Sequence, residues 1–91
     1  MPQGVPRITV TRARSTVDYI LEVSVLLRQS TPRLGLIAYG ENVCKLADVV
    51  AGVVGRLGDD IRIVAWDINS RKSRGRRESY LYVELEYSPT F

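Results

Sequence analysis

A dense cluster of basic side chains stands near the end of the sequence. Residues 71–77, called here the basic segment, contain no acid and five cations: Arg71, Lys72, Arg74, Arg76 and Arg77. Outside this segment eight basic residues face ten acidic ones, so the rest of the chain carries −2 while the total is +3. Eleven of the thirteen cations are Arg, whose guanidinium can donate two parallel hydrogen bonds to phosphate oxygens. The segment therefore favours contact with phosphate groups, and the alternative is a solvated loop.

A smaller basic group consists of Arg7, Arg12 and Arg14. Arg12 and Arg14 fall where a predicted strand turns into a predicted helix. The free N–H groups at a helix N-terminus already favour phosphate, and nearby cations add to that attraction. The alternative is that these charges are solvated or pair with acidic side chains.

The sequence offers little for catalysis or metal binding. It has no His and a single Cys, which excludes ordinary zinc sites, Ser/Cys–His catalytic pairs and an internal disulfide. Asp59 and Asp60 indicate a turn. Glu84 and Glu86 share one predicted strand face, where we expect them either to protect a sheet face or edge from pairing or to meet Arg across strands. Cys44 is expected to be a small space-filling residue. We predict no enzyme, no catalytic residue, no metal site and no cofactor.

Six elements are predicted in the order β-α-β-α-β-β, over residues 7–11, 16–29, 34–39, 42–57, 61–69 and 79–87. Ser15 and Asn42 are the candidate helix N-caps. The core stripe of the first helix is predicted at Val17, Ile20, Leu21 and Leu27. The core stripe of the second helix is predicted at Val43, Leu46, Ala47, Val50, Val54 and Leu57.

A GxxG pattern, Gly52-Val53-Val54-Gly55, lies inside the second predicted helix. In KH domains such a pattern joins two consecutive helices and clamps a nucleic-acid backbone. Here a strand follows, so the two glycines are interpreted as sites of close packing against a neighbour.

The element order indicates an α+β fold, a two-layer sandwich. Two helices are expected to cover one face of a four-stranded mixed sheet, with the first two strands parallel. The chain then ends in a long hairpin that carries the basic segment, with Gly75 at its tip. Residues 1–6 are expected to be a flexible lead-in and residues 7–91 a single domain. No apolar run is long enough for a membrane span, and an intracellular globular protein is expected.

The pattern resembles the Alba family of small archaeal chromatin proteins that also bind RNA. The resemblance rests on the element order, on Thr11-Arg12-Ala13-Arg14 before the first helix, on the turn from Ala38 to Lys45 (AYGENVCK), and on the basic hairpin. It implies a dimer formed by the second helix and the last two strands, with two splayed hairpin arms and a basic saddle built from the first turn. It also adds Asn42 and Lys45 as candidate nucleic-acid contacts.

Four positions depart from the family pattern. Typical members have two adjacent Lys where this chain has Ala13 and Arg14, and Arg14 can bind phosphate but cannot be acetylated as Lys is. Glu41 stands where many members carry a basic residue, and Arg56 stands where family dimers touch one another through an aromatic side chain. These differences resemble a divergent second Alba paralogue, which would pair with itself or with a more typical partner in a heterodimer.

The resemblance and the charge pattern together predict a sequence-nonspecific double-stranded DNA-binding chromatin protein that coats and compacts DNA as a dimer. The protein is expected in the cytoplasm, on the chromosome and not at a membrane. The alternatives are a primarily RNA-binding protein, as an RNA chaperone or ribonucleoprotein subunit, and a protein-interaction subunit that docks the hairpin on an acidic partner. The predicted nucleic-acid-binding residues are Arg12, Arg14, Asn42, Lys45, Arg71, Lys72, Arg74, Arg76 and Arg77.

Overall fold

The computed structural model describes residues 5–89 and contains four strands and two α-helices. In chain order the elements are β1 (Arg7–Thr9), α1 (Thr16–Gln29), β2 (Arg33–Tyr39), α2 (Val43–Leu57), β3 (Ile61–Ser73) and β4 (Arg76–Tyr87). Short 3-10 turns precede and follow α2, at Gly40–Asn42 and Gly58–Asp60. The predicted lead-in at residues 1–6 falls mostly on residues 1–4, which lie outside the described part, as do residues 90 and 91.

The four strands form one mixed sheet in the order β1-β2-β4-β3. β1 pairs with β2 in parallel, and β4 pairs antiparallel with both β2 and β3. The predicted α+β fold, with two helices on a four-stranded mixed sheet, is therefore confirmed.

The hydrophobic core lies between the helices and one face of the sheet. Its fully buried side chains include Leu34 and Leu36 from β2 and Leu85 from β4. Ile37 and Tyr39 alternate with the buried residues of β2, so their side chains point to the opposite face, which the helices do not cover. This second face is called the open face below.

The helices bury only part of the predicted stripes: Leu27 of α1 and Leu46 and Val50 of α2 are buried as predicted. α1 turns Tyr19, Val23 and Leu27 into the core and leaves Val17 and Leu21 exposed. α2 buries Leu46, Val49, Val50 and Val53, whereas Ala47 and Val54 are exposed. The helical periodicity is right, and in both helices the buried side overlaps the predicted stripe but is shifted around the helix axis.

The two glycines of the GxxG pattern have different surroundings. A Cβ on Gly52 would overlap the Ile20 side chain, so this glycine allows close packing of α2 on α1. Gly55 has nothing within 4 Å of its Cβ position, and the expectation of close packing there is wrong for the single chain.

Local signals at the helix starts are partly confirmed. The Ser15 side chain accepts a hydrogen bond from the Asp18 N–H, which makes it the N-cap of α1. Asn42 instead lies in the 3-10 turn with helical backbone angles, and its side chain makes no capping hydrogen bond. Cys44 is exposed on α2, so its predicted space-filling role is wrong.

The β3–β4 hairpin continues farther than predicted. Strand pairing extends to Ser73 and Arg76, so the chain reverses in the two residues Arg74 and Gly75. Both have positive φ, 54° and 76°, as expected for the tight turns that match the twist of a hairpin. Most of the basic segment therefore lies on paired strands instead of in a loop. Within residues 5–89 no helix is long and apolar enough to cross a membrane.

Candidate nucleic-acid interface

The hairpin projects beyond the rest of the sheet. The last residue pair between β2 and β4 is Tyr39 with Tyr80, and from there to the turn β3 and β4 pair only with each other. The projecting part, residues 70–79, is called the arm below. The chain measures 50 Å along its longest axis and 19 Å along its shortest. The arm contains all five cations of the basic segment.

Four of the five cations on the arm are exposed and make no ion pair with any residue of the described chain: Lys72, Arg74, Arg76 and Arg77. Lys72 and Arg77 stand directly opposite each other, a like-charge pairing that costs stability in a free hairpin. Arg74, Arg76 and Arg77 also line an open groove that reaches the Gly40 turn. Because the positive charges of the arm are not neutralised by neighbouring acids, the arm is suited to bind a polyanion.

Arg71 differs from the other cations of the arm because it is held in place. Its guanidinium lies over the Tyr39 ring, with Cζ 3.9 Å from the ring centroid, and Nη2 is 3.3 Å from a Glu78 carboxylate oxygen. Arg71 therefore joins the base of the arm to the sheet.

The first turn, residues 11–14, is held by a lysine from the second helix. The Lys45 ammonium donates hydrogen bonds to the carbonyl oxygens of Thr11, at 2.8 Å, and of Arg14. The Tyr19 hydroxyl accepts from the Thr11 N–H at 3.0 Å. Burial alone would raise the pKa of Tyr19, but the hydrogen bonds with Thr11 and the nearby charges of Lys45 and Arg14 lower it. The ammonium predicted to contact nucleic acid is thus engaged in fixing the backbone of this turn.

Both arginines of the first turn pair with acids, as the alternative reading of these charges proposed. The Arg12 Nε atom lies 3.4 Å from the Glu41 Oε1 atom, and both side chains are strongly exposed, at 82% and 70%. Arg14 pairs with Glu22, and this hydrogen bond raises the pKa of Arg14. An exposed pair such as Arg12–Glu41 contributes little to stability, so Arg12 can exchange its partner for a phosphate at small cost.

We expect Lys45→Met to destabilise the fold by about 1.5–3 kcal/mol, because hydrogen bonds from a charged donor are lost and two carbonyls of the first turn lose their partner. Chemical denaturation measures this change. Lys72→Met is the matched control, since it removes the same group from the exposed arm and should change stability by less than about 0.5 kcal/mol. Equal losses for the two variants would contradict a clamping role for Lys45.

The predicted residues come together at one end of the molecule. The pair Arg12–Glu41 joins the first turn to the 3-10 turn that contains Asn42, and Gly40 of the same 3-10 turn borders the groove beneath the arm. The first turn, the 3-10 turn and the arm therefore form one surface. Sequence reasoning did not identify the acids that pair with Arg12 and Arg14, nor the stacking of Arg71 on Tyr39.

Comparison with known proteins identifies the family. The chain is 30% identical over 86 residues to DNA/RNA-binding protein Alba 2 of Saccharolobus shibatae, covering 94% of this chain and 97% of the relative. The chain belongs to the Alba family. Alba 2 of Saccharolobus solfataricus is 29% identical over the same length and with the same coverage. Both relatives are named as second Alba proteins and not as enzymes, which agrees with the predictions of a divergent paralogue and of no enzymatic activity. No sequence-family model matches the chain.

Solved structures of Alba proteins have the same fold. Alba from Thermoplasma volcanium superposes with a TM-score of 0.77 at 19% identity, over 88% of this chain and 98% of that one. ALBA1 from Trypanosoma brucei superposes with a TM-score of 0.79 at 9% identity, over 96% of this chain and 73% of that one. The Alba fold is thus retained here although few residues are identical.

Proposed function

We propose that this Alba protein binds double-stranded DNA without sequence specificity, and that it coats and compacts DNA on the chromosome in the cytoplasm. The observation that carries the proposal is the projecting arm, on which Lys72, Arg74, Arg76 and Arg77 are exposed and unpaired among the described residues. Cations along a narrow ribbon reach phosphates on both sides of a groove, and they release the counterions condensed on the duplex. The relatives named DNA/RNA-binding protein support this reading.

The side chains of the arm favour weak sequence preference. Residues 70–79 contain no Asn or Gln, the residues that bind adenine edges with two hydrogen bonds. Arg can contact guanine, but the same guanidinium binds phosphate on any sequence. Contacts to the backbone position a protein on the duplex without reading bases, so affinity should be nearly the same for unrelated duplexes.

The proposed DNA-binding unit is a dimer. On the helix side of the edge strand β3, Ile63, Trp66 and Ile68 are exposed, and Trp66 is 69% accessible. Val54 of α2 is also exposed. Several exposed large apolar side chains of this kind are typical of a protein interface. A second copy, or a typical Alba chain in a heterodimer, would cover it with its own second helix and last strands.

RNA is the second candidate ligand, because phosphate contacts from the arm serve RNA as well as DNA. The test is equilibrium binding to two duplex DNAs of unrelated sequence, followed by competition with a structured RNA. We expect equal affinity for the two duplexes and weaker competition by the RNA. A large difference between the duplexes would contradict sequence tolerance, and complete displacement by a lower concentration of RNA would assign RNA as the main ligand. Sedimentation of this chain alone and with a typical Alba chain distinguishes a homodimer from a heterodimer.

A further inference from the structure

The open face of the sheet carries an unusual concentration of aromatic side chains. Cross-strand pairing places Tyr39 opposite Tyr80 and Ile37 opposite Tyr82, so all four side chains share this face. Neither helix covers them, because the helices pack on the face that contains Leu34 and Leu36. Three partly exposed tyrosines therefore lie side by side on two neighbouring strands in the middle of the sheet.

Two arginines stack on these rings from the edges of the sheet. Arg71 lies over Tyr39, and Arg7 of β1 lies over Tyr82 with Cζ 4.9 Å from the ring centroid. The Tyr82 ring also packs closely on Gly35, where a Cβ would be only 2.7 Å from the hydroxyl oxygen. This glycine lets the ring lie flat on the sheet. Guanidinium planes and tyrosine rings are both surfaces on which nucleobases stack.

A cleft of about 250 Å³ separates the two arginine–tyrosine stacks. It is lined by Arg7, Ile37, Tyr39, Asp67, Arg71, Tyr80 and Tyr82. The Tyr80 hydroxyl donates to the Asp67 carboxylate at 2.8 Å, and this hydrogen bond raises the pKa of Tyr80. The remaining acceptor capacity of Asp67 suits an N–H group on the edge of a base, such as the N3–H of uracil or thymine or the exocyclic amino group of cytosine. The cleft is thus lined by three tyrosines, one isoleucine, one carboxylate and two arginines.

The charges of the open face are largely balanced within the protein. Glu84 pairs with Arg33 at 3.2 Å, Glu86 pairs with Arg62 at 2.7 Å, and Glu78 pairs with Arg71. This face is therefore unlike the arm, whose cations are uncompensated. A ligand that binds here gains more free energy from contact with flat rings than from attraction between charges. A closed duplex keeps its bases stacked inside and offers no free base to these rings.

We propose that the open face is a second nucleic-acid site that binds unpaired bases of a single strand by stacking. Bases enter the cleft and stack on Tyr39, Tyr80 and the outer faces of the two guanidinium groups, while Arg7 and Arg71 contact the flanking phosphates. The site goes beyond the proposed duplex binding, since it uses none of the four unpaired cations of the arm. RNA and DNA single strands offer the same chemistry.

The test compares strands that have the same charge but differ in their bases. At about 200 mM salt, where phosphate attraction is weakened, fluorescence anisotropy measures binding of oligo(U), oligo(dT) and an abasic strand, each about 12 units long. We expect the strands with bases to bind about tenfold or more tightly than the abasic strand. Comparing the affinities for oligo(U) and oligo(dT) shows whether the site prefers single-stranded RNA or single-stranded DNA. Equal affinity for the abasic strand would overturn the proposal.

Variants separate this site from the arm. Tyr39→Leu/Tyr80→Leu should weaken oligo(U) and oligo(dT) binding about tenfold or more, while the control Tyr39→Phe/Tyr80→Phe keeps both rings and stays within about twofold. Binding of duplex DNA should be unchanged in the Phe variant, which keeps the Tyr39 ring position beneath Arg71. In the Leu variant it should fall by less than about threefold, because the four unpaired cations of the arm remain. Equal weakening of single-strand binding in the Leu and Phe variants, or no weakening in either, would overturn the stacking site. If the wild-type protein binds single strands as expected but does not bind duplex DNA, the proposed function is contradicted and the stacking site is not.

Photocrosslinking tests the unmodified chain, independently of whether the Leu variant folds. A single strand that carries thio-substituted pyrimidines is irradiated with the wild-type protein, and tryptic peptides are identified by mass spectrometry. Crosslinks in peptides 34–45 and 78–91, which contain Tyr39 and Tyr80 with Tyr82, are the expected result. Crosslinks confined to the arm residues of β3 would overturn the proposal.

Discussion

Replacing Arg76 and Arg77 by Ala is expected to weaken duplex DNA binding about tenfold or more at 100 mM salt, equally on all sequences. Both side chains are exposed on the arm and form no ion pair among the described residues. Each phosphate contact that is lost should also reduce the slope of log K against log salt by about one. Fluorescence anisotropy with two unrelated duplexes over a range of salt concentrations measures both effects.

The control for this experiment is Arg28→Ala/Arg33→Ala, which removes the same charge from the end of α1 and the start of β2. Both side chains are exposed, and neither belongs to the arm, the first turn or the 3-10 turn before α2. If net charge alone governs affinity, the two double variants will lose affinity equally. That result would contradict the assignment of DNA binding to the arm, and an effect on only one duplex would indicate base recognition.

Ile68→Asp is expected to raise the dissociation constant of the dimer about 100-fold. A carboxylate at this position would lose its water in a closed apolar interface without gaining a partner. Trp66, the sole Trp of the sequence, is two residues away and 69% exposed in the single chain. In the wild type its emission should shift to the blue as protein concentration rises and the partner covers it, whereas the variant should show no shift at the same concentrations.

Val17→Asp is the matched control for this prediction. Val17 is 61% exposed and Ile68 is 62% exposed, but Val17 lies on α1 and not on β3. We expect Val17→Asp to dimerise like the wild type. Dimerisation that is lost in Val17→Asp and kept in Ile68→Asp would place the interface on the first helix. A dimer also presents two arms to one duplex, so Ile68→Asp should weaken DNA binding at concentrations where the wild type is dimeric.

The extents of the helices follow from local signals in the sequence. Ser15 supplies a side-chain cap and Pro32 prevents continuation, and α1 spans Thr16–Gln29 as predicted. The length of the arm was harder to predict, because a run of five cations is typical of a solvated loop. The backbone is nevertheless paired up to Ser73 and Arg76, side chains alternate between the two sides of the ribbon, and the chain reverses in the two residues Arg74 and Gly75.

The buried sides of the helices could not be predicted because α1 is apolar on more than one side. Val17 and Leu21 form one stripe, while Tyr19, Val23 and Leu27 form another. Tyr19 is selected for the core partly because its hydroxyl meets the Thr11 backbone, a contact that depends on the folded position of the first turn. The role of Lys45 has the same origin, since its hydrogen-bond partners lie 31 and 34 residues away in the sequence.

The candidate interface was predicted by residue type more than by geometry. The high density of basic residues in the basic segment identified the arm, and the five cations of that segment are exposed as expected. Charge alone could not show that Arg71 stacks on Tyr39 or that Arg14 pairs with Glu22, because both contacts join residues through tertiary packing. Alternation in β4 did place Tyr80 and Tyr82 on one face, and the pairing with β2 then adds Tyr39 beside them.

A salt titration of wild-type binding to duplex DNA tests the central claim most directly. If a dimer makes about 6–10 phosphate contacts, its affinity should fall about 10³–10⁵-fold between 50 and 200 mM salt. Such a fall would establish that counterion release from the DNA backbone drives binding. An affinity that hardly changes with salt, or no binding at 50 mM, would contradict duplex binding by the arm and would favour docking of the hairpin on a protein partner.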